Sequence, residues 1–415
     1  MDKPTVYIVA ATRSPIGRFG GSLKDTSPIM LATEVAESAV ARSGLGADHI
    51  QHVVIGHVIH SEGRDMYLPR VVAQNIGLAV ATPAVAVNRL CGSGMQAIIS
   101  ACNMIMLGDA EVVLAGGVEV MSRGGYLLDS YRWGRRTGAG QVHDMMLAAL
   151  TDPFGHGHMG MTAEYIADAF AISRKTQDAW AAQSQARAVA AQNKGLFAQE
   201  TTPITLADAK TKASKTKPGK QKPKVFAEDE HIRPDADLAQ LGTLKPVFRE
   251  GGSVTAGNAA GINDGASMLI LASEEAVKRH NLKPLGRVVG YGYGGVKPEI
   301  MGMGPVPATR MALARCRLTV ADLAVVESNE AFAAQVCAVN KELGLPADKV
   351  NITGGAIALG HPIGATGAVI TTKLIYQLNR LAKDKSKSKG KASHYGLATM
   401  CIGGGQGISL VLATI

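Results

Sequence analysis

The chain has 415 residues, 46% apolar, 4% aromatic and 19% charged, with 48 glycines and a formal net charge of +9. That length exceeds one ordinary core, so two or three packed units are expected, and the composition excludes a disordered or fibrous chain. The charge does not describe a basic surface, because lysine runs at 210–224 and 383–391 supply +7 and +4 and leave the rest slightly acidic.

At the N-terminus, TVYIVAATRSPIG is a β-rich run closed by turn residues, with no charged leader and cleavage site. SPIMLATEVAESAVARSGL spaces its apolar residues for an amphipathic helix, and HIQHVVIGHVI reads as a second strand. Strands alternating with helical segments predict βαβ units and a mainly parallel sheet covered on both faces. Shifted by 273 positions, AVARSGLGADHIQHVV from Ala39 lies on ALARCRLTVADLAVVE from Ala312. This echo points to a duplicated fold, and about the same shift carries Cys91 to the neighbourhood of His361. No apolar run approaches the ~20 residues that cross a bilayer. A cytoplasmic protein with no membrane partner is expected.

In NRLCGSGMQAIISACNMIML a polar loop leads through Cys91 into a long apolar helix pattern. The unpaired N–H groups and dipole of a helix start favour a thiolate, which makes Cys91 a candidate nucleophile; the alternative is a small buried hydrophobe. Gly92 and Gly94 are expected to let a substrate approach the backbone. From 121 to 253 the pattern breaks into turn-rich and charged stretches that read as an inserted lid or loop unit. Within it, SRKTQDAWAAQSQARAVAAQNKG is a helix capped by Ser173. His156 and His158 in FGHGHMG form a pair, but no convincing carboxylate joins them, so no metal is expected. KTKASKTKPGKQKPK and KDKSKSKGK read as solvated loops, or as an attraction for a polyanionic ligand such as coenzyme A. With no aromatic residue interleaving the first run until Phe226, nucleic acid is not an expected partner.

VVESNEAFAAQVCAVN puts Asn329 and Glu330 at a strand-to-helix turn, where an N-cap is the alternative role. In NITGGAIALGHPIGATGA, His361 is ringed by glycines in a loop entering the helix pattern AVITTKLIYQL, a setting that presents an imidazole to a ligand; a structural loop histidine is the alternative. LATMCIGGGQGISLVL sets Cys401 at a strand end before three glycines. The amides of Gly403 and Cys91 would make the oxyanion hole that acyl transfer needs, with single donors contributing ~3–4 kcal/mol. Cys91, Asn329, His361 and Cys401 are all expected at strand C-termini, the edge where α/β sheets build active sites. The five cysteines are odd in number, scattered and without a CxxC pair, so reduced thiols are expected.

TVYIVAATRSPIGRFGG, NRLCGSG, GGVEVMS, GHMGMTAE, TAGNAAGINDGA, SNEAFAAQ, GGAIALGHPIGATGA and CIGGGQG together resemble the thiolase family, in its order and at nearly its spacing, over the whole chain. Within the family the chain is most similar to bacterial biosynthetic acetyl-CoA acetyltransferases and to β-ketothiolases that accept longer chains. The resemblance implies an α/β fold of five layers, αβαβα, with two similar halves (1–120 with 254–283, and 284–415), a loop domain (121–253) inserted in the first, and a homo-oligomer, dimer or tetramer. The implied reaction is reversible Claisen condensation of two acyl-CoA to a 3-ketoacyl-CoA plus CoA, or its thiolytic reverse, with no cofactor, since coenzyme A thioesters are the substrates. Cys91 would take the acyl group, His361 would activate it, and Cys401 would move the proton on the α-carbon of the second acyl-CoA. Asn329 would hold a water that, with His361, stabilises the thioester oxyanion, while the amides of Cys91 and Gly403 form a second hole. Coenzyme A contacts would fall on Leu150, His158, Met159, Arg233 and Phe248, joined by Ala256, Ala259, Ala260, Gly261, Met301, Ala331 and Phe332. Ala260 departs from the family's usual serine, which puts one contact to the pantetheine arm in doubt. SNEAF for ANEAF and GGVEVMS for GGAESMS touch no proposed catalytic atom. A ketoacyl synthase of the same fold would carry one cysteine and two histidines, and Cys401 argues against it. A non-catalytic basic binding protein on this core would be expected to lack the nucleophile.

Overall fold

The computed structural model describes residues 4–206, 224–384 and 393–415, so almost all of both lysine runs, with the readings made of them, lies outside the described residues. Strand β1 (Val6–Arg13) leads to helix α1 (Pro28–Ser43), whose ends are fixed by local chemistry. Ser27 accepts a hydrogen bond from Met30 N, Pro28 opens the first turn, and Gly44 leaves in the left-handed conformation at φ 76°. Next come β2 (His52–Gly56), β3 (Ala84–Val87), α2 (Ser93–Leu107) and β4 (Val112–Val120). The following segment holds α3 (Met159–Ala169) and α4 (Arg174–Asn193), the second capped by Ser173 as expected. The chain returns as β5 (Asn263–Ser273), β6 (Gly286–Gly295), α5 (Pro305–Cys316), β7 (Leu323–Ser328), α6 (Ala333–Leu343), α7 (Thr366–Lys383), β8 (Tyr395–Ile402) and β9 (Gln406–Ala413).

These strands lie in the order β7-β8-β9-β6-β1-β5-β4-β2-β3. The expected mainly parallel sheet is corrected. β2 runs parallel to β3 and β4, and β7 to β8, but the pairs β1/β5, β1/β6, β4/β5, β6/β9 and β8/β9 are antiparallel. An apolar run reports burial of both faces and carries no direction, which is why the sequence misled here. Divided between β1 and β6, the sheet contains one topology twice. The first half is β3-β2-β4-β5-β1; the second is Val350, bridged in parallel to Val326, then β7-β8-β9-β6. The echo in the sequence is a duplication of structure.

The two half-sheets face each other across α2 and α7. Ile8 and Ala11 of β1 join a core containing Met95, Ile98, Ala368, Leu374, Met400 and Leu410, drawn from both halves. Val9 and Ala10 point the other way, onto Leu31 and Val35 of α1. On the outer face of the second half, Leu397 and Val411 pack with Ala312 of α5 and Val336 of α6. The result is five layers, α1, sheet, α2 with α7, sheet, α5 with α6.

Helices α2 and α7 cross at Gly94 and Gly367, which are themselves 273 residues apart. A Cβ on Gly94 would lie 2.8 Å from Ala368 N, and one on Gly367 would meet the backbone N of Met95. A Cβ on Gly92 would lie 2.6 Å from Ile402 Cδ1. These glycines therefore admit the opposite half of the protein, not a substrate as the sequence reading had it. In an open helix Gly367→Ala would gain up to ~1 kcal/mol; here overpacking is expected to cost ~1–3 kcal/mol, seen as a lower urea midpoint. A raised midpoint would show that the crossing has room. The run Leu90–Leu107, which contains α2, also corrects the reading of apolar runs, since it is 18 residues long and apolar enough to approach a bilayer span. In α2, Met95, Ala97, Ile98, Ile99, Ala101 and Cys102 are buried between the half-sheets, which is what makes it apolar.

Candidate active site

Between β3 and α2 the chain makes a tight turn. Ser93 Oγ accepts from Arg89 N at 2.8 Å and donates to Leu90 O at 2.6 Å, and Leu90 is held at φ 46°, where side-chain-bearing residues are strained. The turn packs Cys91 against Ile59, Met121 and Ile363, and the N–H of Gly403 is directed at its sulfur. Burial pushes the thiol up to about 11 against the pull of that N–H and its own. The expectation that a helix start would favour the thiolate is corrected. Helix α2 begins only at Ser93, and desolvation outweighs the amides.

His361 also departs from expectation, because it follows a short helix, Ala356–Leu359, and not a strand. Gly360 turns at φ 112°, Asn263 fills the space its Cβ would need, and Asn263 Oδ1 accepts from His361 N at 2.9 Å. Burial holds the imidazole down to about 4, so it is neutral at pH 7. Its Nδ1 is 2.7 Å from Thr366 Oγ1, and its Nε2 is 3.5 Å from Asn329 Nδ2.

Asn329 follows β7 and is anchored by its N–H to Thr399 O of β8 at 2.9 Å. Its Oδ1 is buried without a hydrogen-bond partner among the described residues. Neither Asn329 nor Glu330 caps α6, whose N-cap position is Phe332 with no side-chain bond. Glu330 accepts instead from Trp180 Nε1 (3.0 Å) and Ser184 Oγ (2.7 Å) on α4, and from Asn351 Nδ2 (2.7 Å) and Ile357 N (3.1 Å). It ties α4 to the loop that leads into His361. The sequence reading assigned Glu330 only the cap alternative; the one signal was an acid within an apolar stretch.

Cys401, near the end of β8, is 1% exposed and packs with Met159, Met301, Ala331 and Phe332. Burial, and then the neighbouring Cys91, push its thiol up. A Cβ on Gly403 would lie 2.9 Å from Met159 Cε, so that residue's smallness keeps Cys91, Cys401 and Met159 together.

Beside these groups is a cavity of about 350 Å³ with His361 on its wall. Leu150, His158, Arg233 and Phe248 line it, as do Ala256, Ala259, Ala260, Gly261, Ala331 and Phe332. Met159 and Met301 are not on that wall and pack around Cys401 instead. Met121, Thr255, Ile262 and Ile363, which the sequence reading passed over, also line it. Met121, Leu150 and Ile363 are shared between the cavity and the packing around Cys91. His158 caps α3 by accepting from Gly160 N at 3.1 Å, and its ring stacks on Phe248 at 4.8 Å. His156 Nε2 sits 3.7 Å from Glu299 Oε2, and among the described residues no three His, Cys, Asp or Glu are grouped to hold a metal.

The family model described as Thiolase, N-terminal domain, matches residues 6–275, and Thiolase, C-terminal domain, matches residues 282–414. The chain belongs to the thiolase family. It is 49% identical over 411 residues to the beta-ketothiolase BktB of Cupriavidus necator, covering 99% of each chain. It is 45% identical to the mitochondrial 3-ketoacyl-CoA thiolase of Rattus norvegicus, covering 98% of each. The crystal structure of human mitochondrial 3-ketoacyl-CoA thiolase in complex with CoA superposes with a TM-score of 0.91 at 42% identity, over 99% of this chain and 98% of that one. The five-layered duplicated fold is thus that of a thiolase.

Proposed function

We propose that this thiolase catalyses reversible Claisen condensation of two acyl-CoA molecules, or its thiolytic reverse, through an acyl group on Cys91. The observation that carries this reading is a largely apolar cavity with His361 on its wall, Asn329 3.5 Å from that ring, and Cys91 and Cys401 packed against residues that line it. Thioester condensation needs a nucleophile, a base for carbon and two oxyanion sites. Cys91 is the nucleophile. With the thiol and imidazole both neutral at rest, His361 Nε2 takes the thiol proton as sulfur attacks, rather than stabilising a standing thiolate. Gly403 N–H and Cys91 N–H form one oxyanion site. Asn329 and His361, whose Nε2 becomes a donor once it has taken the thiol proton, lie 3.5 Å apart and form the other, with Asn329 holding a water. Cys401 moves the α-proton of the second acyl-CoA.

Support for the binding reading comes from the cavity wall. Phe248 stacked on His158, together with Phe332, offers an apolar channel for a pantetheine arm. Arg233 lines the same cavity, and its guanidinium suits an adenine or a phosphate. Met159 and Met301 border the acyl end. Residues 121–253 act as the loop domain carrying most of these contacts, between halves 1–120 with 254–283 and 284–415. No cofactor beyond the thioester substrates takes part in this scheme. A homo-oligomer, dimer or tetramer, and a cytoplasmic location belong to the same reading and rest on the resemblance.

Incubation with acetyl-CoA is expected to leave one acetyl group on Cys91, located by mass spectrometry of its peptide. An unmodified Cys91 under conditions of turnover, or an acetyl group carried by another residue, overturns the scheme.

A further inference from the structure

We infer that Thr366 is the positioning residue that fixes which nitrogen of His361 carries the proton, an inference that rests on His361 acting on Cys91 as proposed above. Thr366 opens α7, and its Oγ1 lies 2.8 Å from the carbonyl oxygen of Pro362. The hydroxyl donates to that carbonyl, the usual bond of a threonine to the carbonyl four residues earlier, and the carbonyl oxygen also takes the backbone N–H of Ala365 at 2.9 Å. The same Oγ1 is 2.7 Å from His361 Nδ1 and, with its proton spent, can only accept. Nδ1 therefore carries the N–H, and the neutral imidazole keeps its lone pair on Nε2.

The other side of the ring agrees. Nε2 faces Asn329 Nδ2, an amide nitrogen that has protons and no free lone pair. Thr366 is itself locked, being 1% exposed and sharing Pro362 O with its own backbone N–H, which donates at 2.9 Å. The backbone of His361 is held separately by Asn263. The ring thus has its position set by one residue and its tautomer by another.

The consequence is chemical. In acylation the Cys91 S–H bond breaks, the proton passes to the Nε2 lone pair, and the sulfur pair forms the new bond to the thioester carbon. The leaving thiolate of coenzyme A recovers that proton from Nε2 as the old carbon–sulfur bond breaks. Nδ1–H stays on Thr366 Oγ1 throughout. With the opposite tautomer Nε2 would be a donor and could not take the thiol proton.

Thr366→Val removes the hydroxyl at nearly constant shape, and Thr366→Ser keeps it. Thr366→Val is expected to lower kcat by about 10- to 100-fold, the range for a group that orients a working residue, with KM for acetyl-CoA within about threefold. Thr366→Ser is expected to stay within about threefold of wild type in kcat. NMR of isotope-labelled histidine, with the His361 signals assigned through their loss in His361→Asn, should show a pyrrole-like Nδ1 and a pyridine-like Nε2 in the wild type at neutral pH. An Nε2–H form in the wild type, or wild-type kcat in folded Thr366→Val, overturns the inference. If Thr366→Val does not fold, the wild-type spectrum and the serine variant decide. Acetylation of Cys91 with the Nε2–H form defeats this inference alone, whereas the Nδ1–H form in a protein that never acylates defeats the functional reading instead.

Discussion

Cys401→Ser is expected to keep acyl transfer to Cys91 and to lose condensation by about 10³-fold, within the ~10²–10⁴ that a positioned general base contributes. Serine fits the same space, but its hydroxyl is far less acidic than a thiol and does not provide an anion able to remove a proton from carbon. Burial, and then the neighbouring Cys91, oppose the ionisation of Cys401 in the resting protein. The measurement has two arms, acetyl incorporation on Cys91 by mass spectrometry and acetoacetyl-CoA formation by absorbance. Loss of both arms in Cys401→Ser would show that Cys401 supports the nucleophile, and retention of both would place the carbon base elsewhere.

Much of this arrangement could be read before any coordinates. The shift of 273 that aligns Ala39 with Ala312 also relates Gly94 to Gly367, where α2 and α7 cross, so the duplication seen in one helix and strand extends to the crossing between Cys91 and His361. Glycine, however, states only that something comes close. The sequence reading assigned Gly92 and Gly94 to a substrate, and the structure gives those spaces to Ile402 and Ala368. Strand direction was illegible for a similar reason, because inward and outward faces alternate identically in either sense. The thiolate reading of Cys91 failed because a helix dipole is a local property visible in sequence, whereas desolvation by Ile59, Met121 and Ile363 is assembled from three distant segments. Thr366 was hidden by its ordinariness, as a threonine at a helix start whose meaning depends on Pro362 and His361 together.

The same dependence on distant segments makes His57 the source of a large expected loss of stability. It follows β2 immediately, beside Gly56, whose missing Cβ lets the backbone of Ser93 pack close. The side chain is 1% exposed, with Nδ1 3.1 Å from Glu119 Oε1 and Nε2 3.6 Å from Asp65 Oδ2, and its ring stacks on His60 at 5.4 Å. Glu119 accepts from Val58 N, Ile59 N and Gly364 N, and Asp65 from Ser61 N and Glu62 N. One cation thus anchors two carboxylates that hold the loop beside Cys91 and the loop after His361. Burial disfavours the charge on His57, but Glu119 and Asp65 outweigh it and raise the imidazolium to about 10. For Asp65, burial is outweighed by His57 and the backbone N–H groups, which bring it down to about 2. Removing one partner from such a buried set costs ~3–5 kcal/mol, because the charges left behind stay desolvated. His57→Gln should show that loss in urea unfolding near pH 6. The sign with pH follows from the shifts. A histidine raised from its ordinary 6.5 contributes its full stabilisation below pH 6.5 and loses it as pH climbs toward 10, since the folded state there binds more protons than the unfolded one. The wild type should weaken across that interval while His57→Gln does not, so the gap between them should narrow between pH 6.5 and 10. On the acid side, Asp65 adds stability above its ordinary 3.8 that disappears as pH falls through about 2. A gap that stayed constant from pH 6 to pH 10 would mean that His57 contributes by packing alone, and Gly364 and the His361 loop would then owe nothing to its charge.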